Sequence, residues 1–130
     1  MANLTKEPSF IRVYWGYHLI LDCGACDTDK VKSRENLEEF VIELVNRIEV
    51  KAYVKPILER FATHDPDAAG YSLVQLIETS SIAGHFVDKN GGRYIDILSC
   101  KPFSLEIAQE DVQKYLNPDK IKVTYLIRQA

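Results

Sequence analysis

No stretch of this 130-residue sequence approaches the roughly 20 consecutive apolar residues that a membrane-crossing helix needs. Its opening, Met1-Ala2-Asn3-Leu4-Thr5-Lys6-Glu7, has a lysine with no apolar signal core behind it. Cysteine is scarce too. Cys23, Cys26 and Cys100 are too few and odd in number for a disulfide framework, which implies reduced thiols and a cytoplasmic protein without a membrane partner. A charge excess of one sign is also missing: 16 Lys+Arg stand against 19 Asp+Glu, with no basic block to form a phosphate-binding footprint, so nucleic acid is not an expected partner. With 46% hydrophobic and 27% charged residues the chain has too much apolar material for a disordered one. Residues 1–130 are therefore expected to share one core and form a single domain.

Residues Ile11 to Asp22 are rich in β-branched and aromatic side chains and predict a first strand, with Gly16 placed for a bulge. Gly24 to Arg34 is polar and turn-like. Leu37, Phe40, Val41, Leu44, Val45 and Ile48 recur at spacings of three and four, the stripe of a helix that begins at an Asn36 N-cap, with Glu39 bonding back, and ends near Glu49. Lys51 to Thr63 returns to strand character, and Pro56 within it predicts an edge. After a loop from His64 to Gly70, Tyr71 to Glu78 alternates as a strand. The hydroxyl-rich segment Thr79 to Gly84 reads as a turn interrupting the sheet, followed by His85-Phe86-Val87 and a hairpin turn at Asp88 to Gly92, marked by Asn90-Gly91. Arg93 to Cys100 is a further strand. Ser104 caps a second helix that turns Ala108, Val112, Tyr115 and Leu116 inward and stops at Asn117-Pro118, and Ile121 to Ile127 is the last strand. Hairpin-linked strands around two helices predict an α+β two-layer sandwich, an antiparallel sheet with both helices on one face.

Several residues have the chemistry for a site. Cys23-Gly24-Ala25-Cys26 has the C-x-x-C spacing of half a zinc site or a thiol redox pair, yet Cys100, His18, His64 and His85 form no second paired motif, which leaves two incidental loop cysteines as the plainer account. Cys100 closes a strand, where a cysteine is either a small buried hydrophobe or, with a histidine such as His85, a nucleophile pair. The hydroxyls of Thr79-Ser80-Ser81 stand either as satisfiers of turn backbone or as reactive groups.

The sequence resembles the short prokaryotic S-adenosylmethionine decarboxylases, self-cleaving pyruvoyl enzymes of spermidine biosynthesis. Gly16-Tyr17-His18-Leu19-Ile20-Leu21-Asp22 is similar to that family's G-x-H-L-x-x-D/E opening strand, and Ala25-Cys26-Asp27 to the G-C-D that follows. Thr79-Ser80-Ser81-Ile82-Ala83-Gly84-His85 lies where the family has E-S-H-I/L-S/T-I-H, and Asp96-Ile97-Leu98-Ser99-Cys100 where it has D-I/L-F-T-C. Ser72, Ser80, His85 and Cys100 keep the family's separations of eight, five and fifteen without a gap, and His64, eight before Ser72, falls where many members have a histidine.

The resemblance implies that Ser80 Oγ attacks the Thr79 carbonyl, splits the chain between 79 and 80, and becomes a pyruvoyl group that forms a Schiff base with the substrate amine and draws electrons during decarboxylation. Ser72 would polarise the carbonyl, His85 would handle protons, and Cys100 would return a proton to the α-carbon. No metal is implied, and a homodimer with sheets meeting is. The departures bear on substrate. Thr79 replaces a glutamate and Ser81 a histidine; Lys89 stands where the family's ribose-binding glutamate does, with Asp88 as a substitute; and Pro66 falls near an adenine-stacking aromatic. A different amino acid as substrate, or an uncleaved homologue that binds or regulates an active decarboxylase, are the competing readings.

Overall fold

The computed structural model describes residues 13–130. Its elements are β1 (Gly16–Gly24), α1 (Thr28–Val31), α2 (Arg34–Arg47), β2 (Ile57–Phe61), β3 (Gly70–Ile77), β4 (Ser80–Val87), β5 (Arg93–Ser99), α3 (Leu105–Leu116) and β6 (Lys120–Arg128). The six strands form one antiparallel sheet in the order β2-β3-β4-β5-β1-β6. The predicted α+β two-layer sandwich is the observed fold, with α1 as a short third helix.

Strand alternation decides which face is buried. Leu19 and Leu21 of β1, Leu73, Gln75 and Ile77 of β3, Ile82 and Phe86 of β4, and Ile95 and Ile97 of β5 share one face and are buried with Leu37, Phe40, Val41 and Leu44 of α2 and Ala108, Val112 and Leu116 of α3. Among the described residues no helix covers the opposite face, which carries Ser72, Val74, Leu76, Ala83, His85, Tyr94 and Asp96.

Several local expectations are corrected. Ile11 and Arg12 lie outside the described residues, and β1 begins at Gly16, which pairs regularly with Arg128 rather than forming a bulge. Within Gly24 to Arg34 the Asp27 side chain accepts from the amides of Asp29 and Lys30 and caps α1, which buries Val31. The cap of α2 is Ser33, whose hydroxyl accepts from the Asn36 amide at 3.1 Å; the Asn36 side chain instead donates to the carbonyls of Lys30 and Tyr115. In Lys51 to Thr63 only Ile57–Phe61 forms a strand, at the sheet edge that Pro56 predicted. The segment Thr79 to Gly84 does not interrupt the sheet: β4 starts at Ser80, and the turn is confined to Glu78 and Thr79.

Candidate active site

The β3–β4 hairpin closes through two residues, Glu78 and Thr79, with Ile77 opposite Ser80. Favoured two-residue hairpin turns place positive φ in the turn itself. Here the positive φ falls on the next residue: Ser80 has φ 154°, a region that residues with side chains rarely occupy and that costs of order 1–3 kcal/mol. The surrounding strands hold it there, since Ser80 pairs with Ile77 on one side and Ser99 on the other.

The carbonyl of Thr79, the acyl half of the Thr79–Ser80 peptide, accepts a hydrogen bond of 2.9 Å from the Cys100 backbone N–H. Ser99, fully buried, donates its hydroxyl to Thr79 Oγ1 at 2.8 Å and accepts from the Lys101 amide at 3.0 Å. The peptide is thus held at its carbonyl and at the preceding side chain. Polarising the carbonyl oxygen leaves its carbon more open to attack by a hydroxyl. Next to it is a cleft of about 200 Å³ lined by Trp15, Gly16, Ser80, Leu98, Ser99, Cys100 and Arg128. A larger cavity, about 500 Å³, lies under residues 50–56 against α2, away from the Ser80 hydroxyl and the Cys100 thiol.

Ser72 and His85 form a second cluster. Facing each other across β3 and β4, they share a hydrogen bond of 2.7 Å between Ser72 Oγ and His85 Nδ1. His85 Nε2 lies 3.2 Å from the Ala68 carbonyl, which can only accept, so Nε2 carries the ring proton and Nδ1 accepts from the serine. This pair is five register steps from Ser80 along the hairpin, roughly 17 Å at the usual rise of a strand. One chain therefore brings together Thr79, Ser80, Ser99 and Cys100, and separately Ser72 and His85, but does not bring the two groups into contact. The contact made to the Thr79 carbonyl is from the Cys100 amide, which sequence reasoning missed because a backbone donor leaves no residue signature.

The remaining singled-out residues serve elsewhere. His64 is exposed in the loop between β2 and β3. His18 lies on the uncovered sheet face with Nε2 3.5 Å from Asp96. Asp88 is held by Arg60 and Lys89 by Asp67, so neither side chain is free for a ribose. Of the two cysteines expected in a loop, Cys26 lies in the connection between β1 and α1 while Cys23 belongs to β1; both are buried in the core, where their mutual hydrogen bond pushes Cys23 up and Cys26 down from the ordinary thiol range. Among the described residues, no three His, Cys, Asp or Glu side chains gather as metal ligands, and no helix is long and apolar enough to cross a membrane.

The sheet and its helix layer define a fold class that is also seen among solved structures. The adenosylmethionine decarboxylase of Aquifex aeolicus superposes with a TM-score of 0.76 at 22% identity, covering 90% of this chain and 92% of that one, and so shares the fold. The family model for S-adenosylmethionine decarboxylase matches residues 17–129, and the chain belongs to that family. S-adenosylmethionine decarboxylase proenzymes of Clostridium botulinum, from the Hall type A and Langeland type F strains, are each 29% identical over 87 residues, 67% of this chain and 70% of theirs.

Proposed function

We propose that this chain is a single-domain cytoplasmic proenzyme that cleaves itself between Thr79 and Ser80 and then decarboxylates S-adenosylmethionine for spermidine biosynthesis. The observation that carries this reading is the Thr79–Ser80 peptide itself, its carbonyl bonded to the Cys100 amide and its serine strained at φ 154°. Ser80 Oγ adds to the Thr79 carbonyl carbon through a five-membered ring. The C–N bond then breaks as the serine nitrogen takes up the hydroxyl proton, which leaves an ester. Release of the φ constraint at Ser80 favours the ester side. Loss of the Ser80 α-proton expels the Thr79 carboxylate, and hydrolysis of the dehydroalanine releases ammonia and leaves the keto group.

The residues present suit a pyruvoyl group at position 80: Ser80 and Cys100 line the same cleft. That group supplies a keto acceptor for the electron pair left by carbon dioxide. Cys100 holds the proton that returns to the substrate α-carbon. Ser72 and His85 would come from a second copy. The uncovered sheet face has exposed apolar side chains at Ile57, Phe61, Val74, Leu76, Tyr94 and Leu126, which a two-fold stacking of these faces would bury.

A second reading, a pyruvoyl decarboxylase of another amino acid, draws on the engagement of Lys89 by Asp67 and Asp88 by Arg60, which leaves no free carboxylate there for a ribose diol. Electrospray mass spectrometry of freshly purified protein tests self-cleavage: two fragments, 1–79 and 80–130, are expected, the second reactive with borohydride. A single intact chain that never reacts refutes the proposal and leaves an uncleaved homologue that binds rather than turns over. Carbon dioxide release from a panel of amino acids separates the two decarboxylase readings.

A further inference from the structure

We propose that Arg128 anchors the substrate's α-carboxylate, so that the site grips the group it is about to remove and loses that grip on the product. The proposal rests on reading the cleft at Ser80 and Cys100 as the active site. Arg128, near the end of β6, lines that cleft, and no acidic side chain does. Arg47 is engaged with Glu110 and Asp111, Arg60 with Asp88 and Arg34 with the Leu58 carbonyl, whereas Arg93, exposed at the other end of β5, does not line the cleft. Among the described residues no carboxylate lies within ion-pairing distance of Arg128. A guanidinium left unpaired beside a reacting centre, in a cleft without a negative charge, is complementary to an anion, and its fork of donors fits a carboxylate.

Its position is built by its neighbours. Gly16 is opposite Arg128 on β1, and a Cβ there would come to 3.3 Å from both Arg128 Cβ and a Leu98 methyl. The missing side chain at Gly16 leaves the lane that the arginine stem occupies, so the stem packs across β1 toward the cleft. Trp15 forms the other wall; its amide donates to Gln129 Oε1 at 3.0 Å and ties the start of β1 to the residue after β6.

The consequence is a difference between substrate and product. An α-amino acid and the amine made from it differ at this end only by the carboxylate, so an Arg128 contact adds to the affinity of the first and not the second. The contact exists in the ground state and fades as the carbon–carbon bond breaks, which places its effect on KM more than on kcat.

Isothermal titration calorimetry on the Ser80→Ala chain, which stays intact, tests this without relying on turnover. The probes are S-adenosylmethionine, its α-methyl ester and decarboxylated S-adenosylmethionine. Adding Arg128→Gln is expected to weaken S-adenosylmethionine about tenfold or more while the ester and the amine change by less than about twofold, and Arg128→Lys should recover part of the loss. Equal changes for all three probes, no change for any, or no binding of any at millimolar concentration would overturn the proposal. Fragment masses of the chain with its native Ser80 are read separately: an uncleaved chain refutes the self-cleavage reading, whereas a selective loss in the titrations still upholds the carboxylate anchor.

Discussion

The backbone amide of Cys100 donates a 2.9 Å hydrogen bond to the carbonyl oxygen of Thr79, so one residue offers its main chain to the peptide and its thiol to the cleft beside it. The two roles separate by substitution. Cys100→Ala keeps the N–H and should cleave like the unmodified chain yet lose turnover. Cys100→Pro lacks the donor and should slow fragment formation about 100-fold, the scale of losing one oxyanion donor. Time-resolved electrospray masses check both, and cleavage of Cys100→Pro at the unmodified rate removes the amide from the mechanism.

Ser99→Ala tests whether the Thr79 side chain must be fixed. It leaves Thr79 Oγ1 without its 2.8 Å donor and the Lys101 amide without its 3.0 Å acceptor. The expected cost is about 1 kcal/mol of stability, because both groups are only partly shielded. Cleavage should slow with it as the residue before Ser80 gains freedom. Thermal unfolding and fragment masses are the two measurements; a slower reaction at unchanged stability would show that positioning, not general loosening, is the cause.

Elements with a long periodic pattern were legible in the sequence: α2 from its apolar stripe, α3 from Ser104 and Asn117-Pro118, the β4–β5 turn from Asn90-Gly91. What stayed hidden was decided by partners far along the chain. Asn36 and Ser33 are both good caps, and Asn36 is diverted because its amide group bridges to the Tyr115 carbonyl, 79 residues away. The strand character of Ser80 and Ser81 is invisible locally; it comes from pairing with Ser99 and Leu98. At the site, the family resemblance picked out Ser72, Ser80, His85 and Cys100, but register alone separates the Ser72–His85 pair from the other two.

Between the helices, Arg47 reaches the fully buried Asp111. Burial is the largest influence on Asp111 and pushes its carboxyl up, with the Arg47 hydrogen bond and charge pulling it back. A carboxyl raised in the folded state favours folding below its unfolded pKa, and that contribution disappears as pH rises through the folded pKa. Arg47→Ala removes the opposing pull and leaves a buried carboxylate uncompensated at neutral pH. Its Tm should therefore fall well below that of the unmodified chain at pH 7, and the gap should narrow as the pH is lowered and Asp111 takes up its proton. A constant gap across that range would mean that Arg47 acts through packing alone.

The separation of roughly 17 Å between Ser80 and the Ser72–His85 pair makes a prediction that one chain cannot satisfy by itself. A Ser80→Ala chain has no nucleophile, and a His85→Ala chain has no proton-handling imidazole, so neither should fragment when purified alone. Mixed in denaturant and refolded together, they can form dimers in which Ser80 of the His85→Ala chain faces the intact His85 of the other. Only the His85→Ala chain should then split, and a mass tag on either chain identifies which one did. Random pairing puts half of the dimers in the mixed form, so about half of the His85→Ala chains should be competent. No cleavage in the mixture, with dimers verified by native mass spectrometry, would mean that the two clusters do not complete each other across the interface.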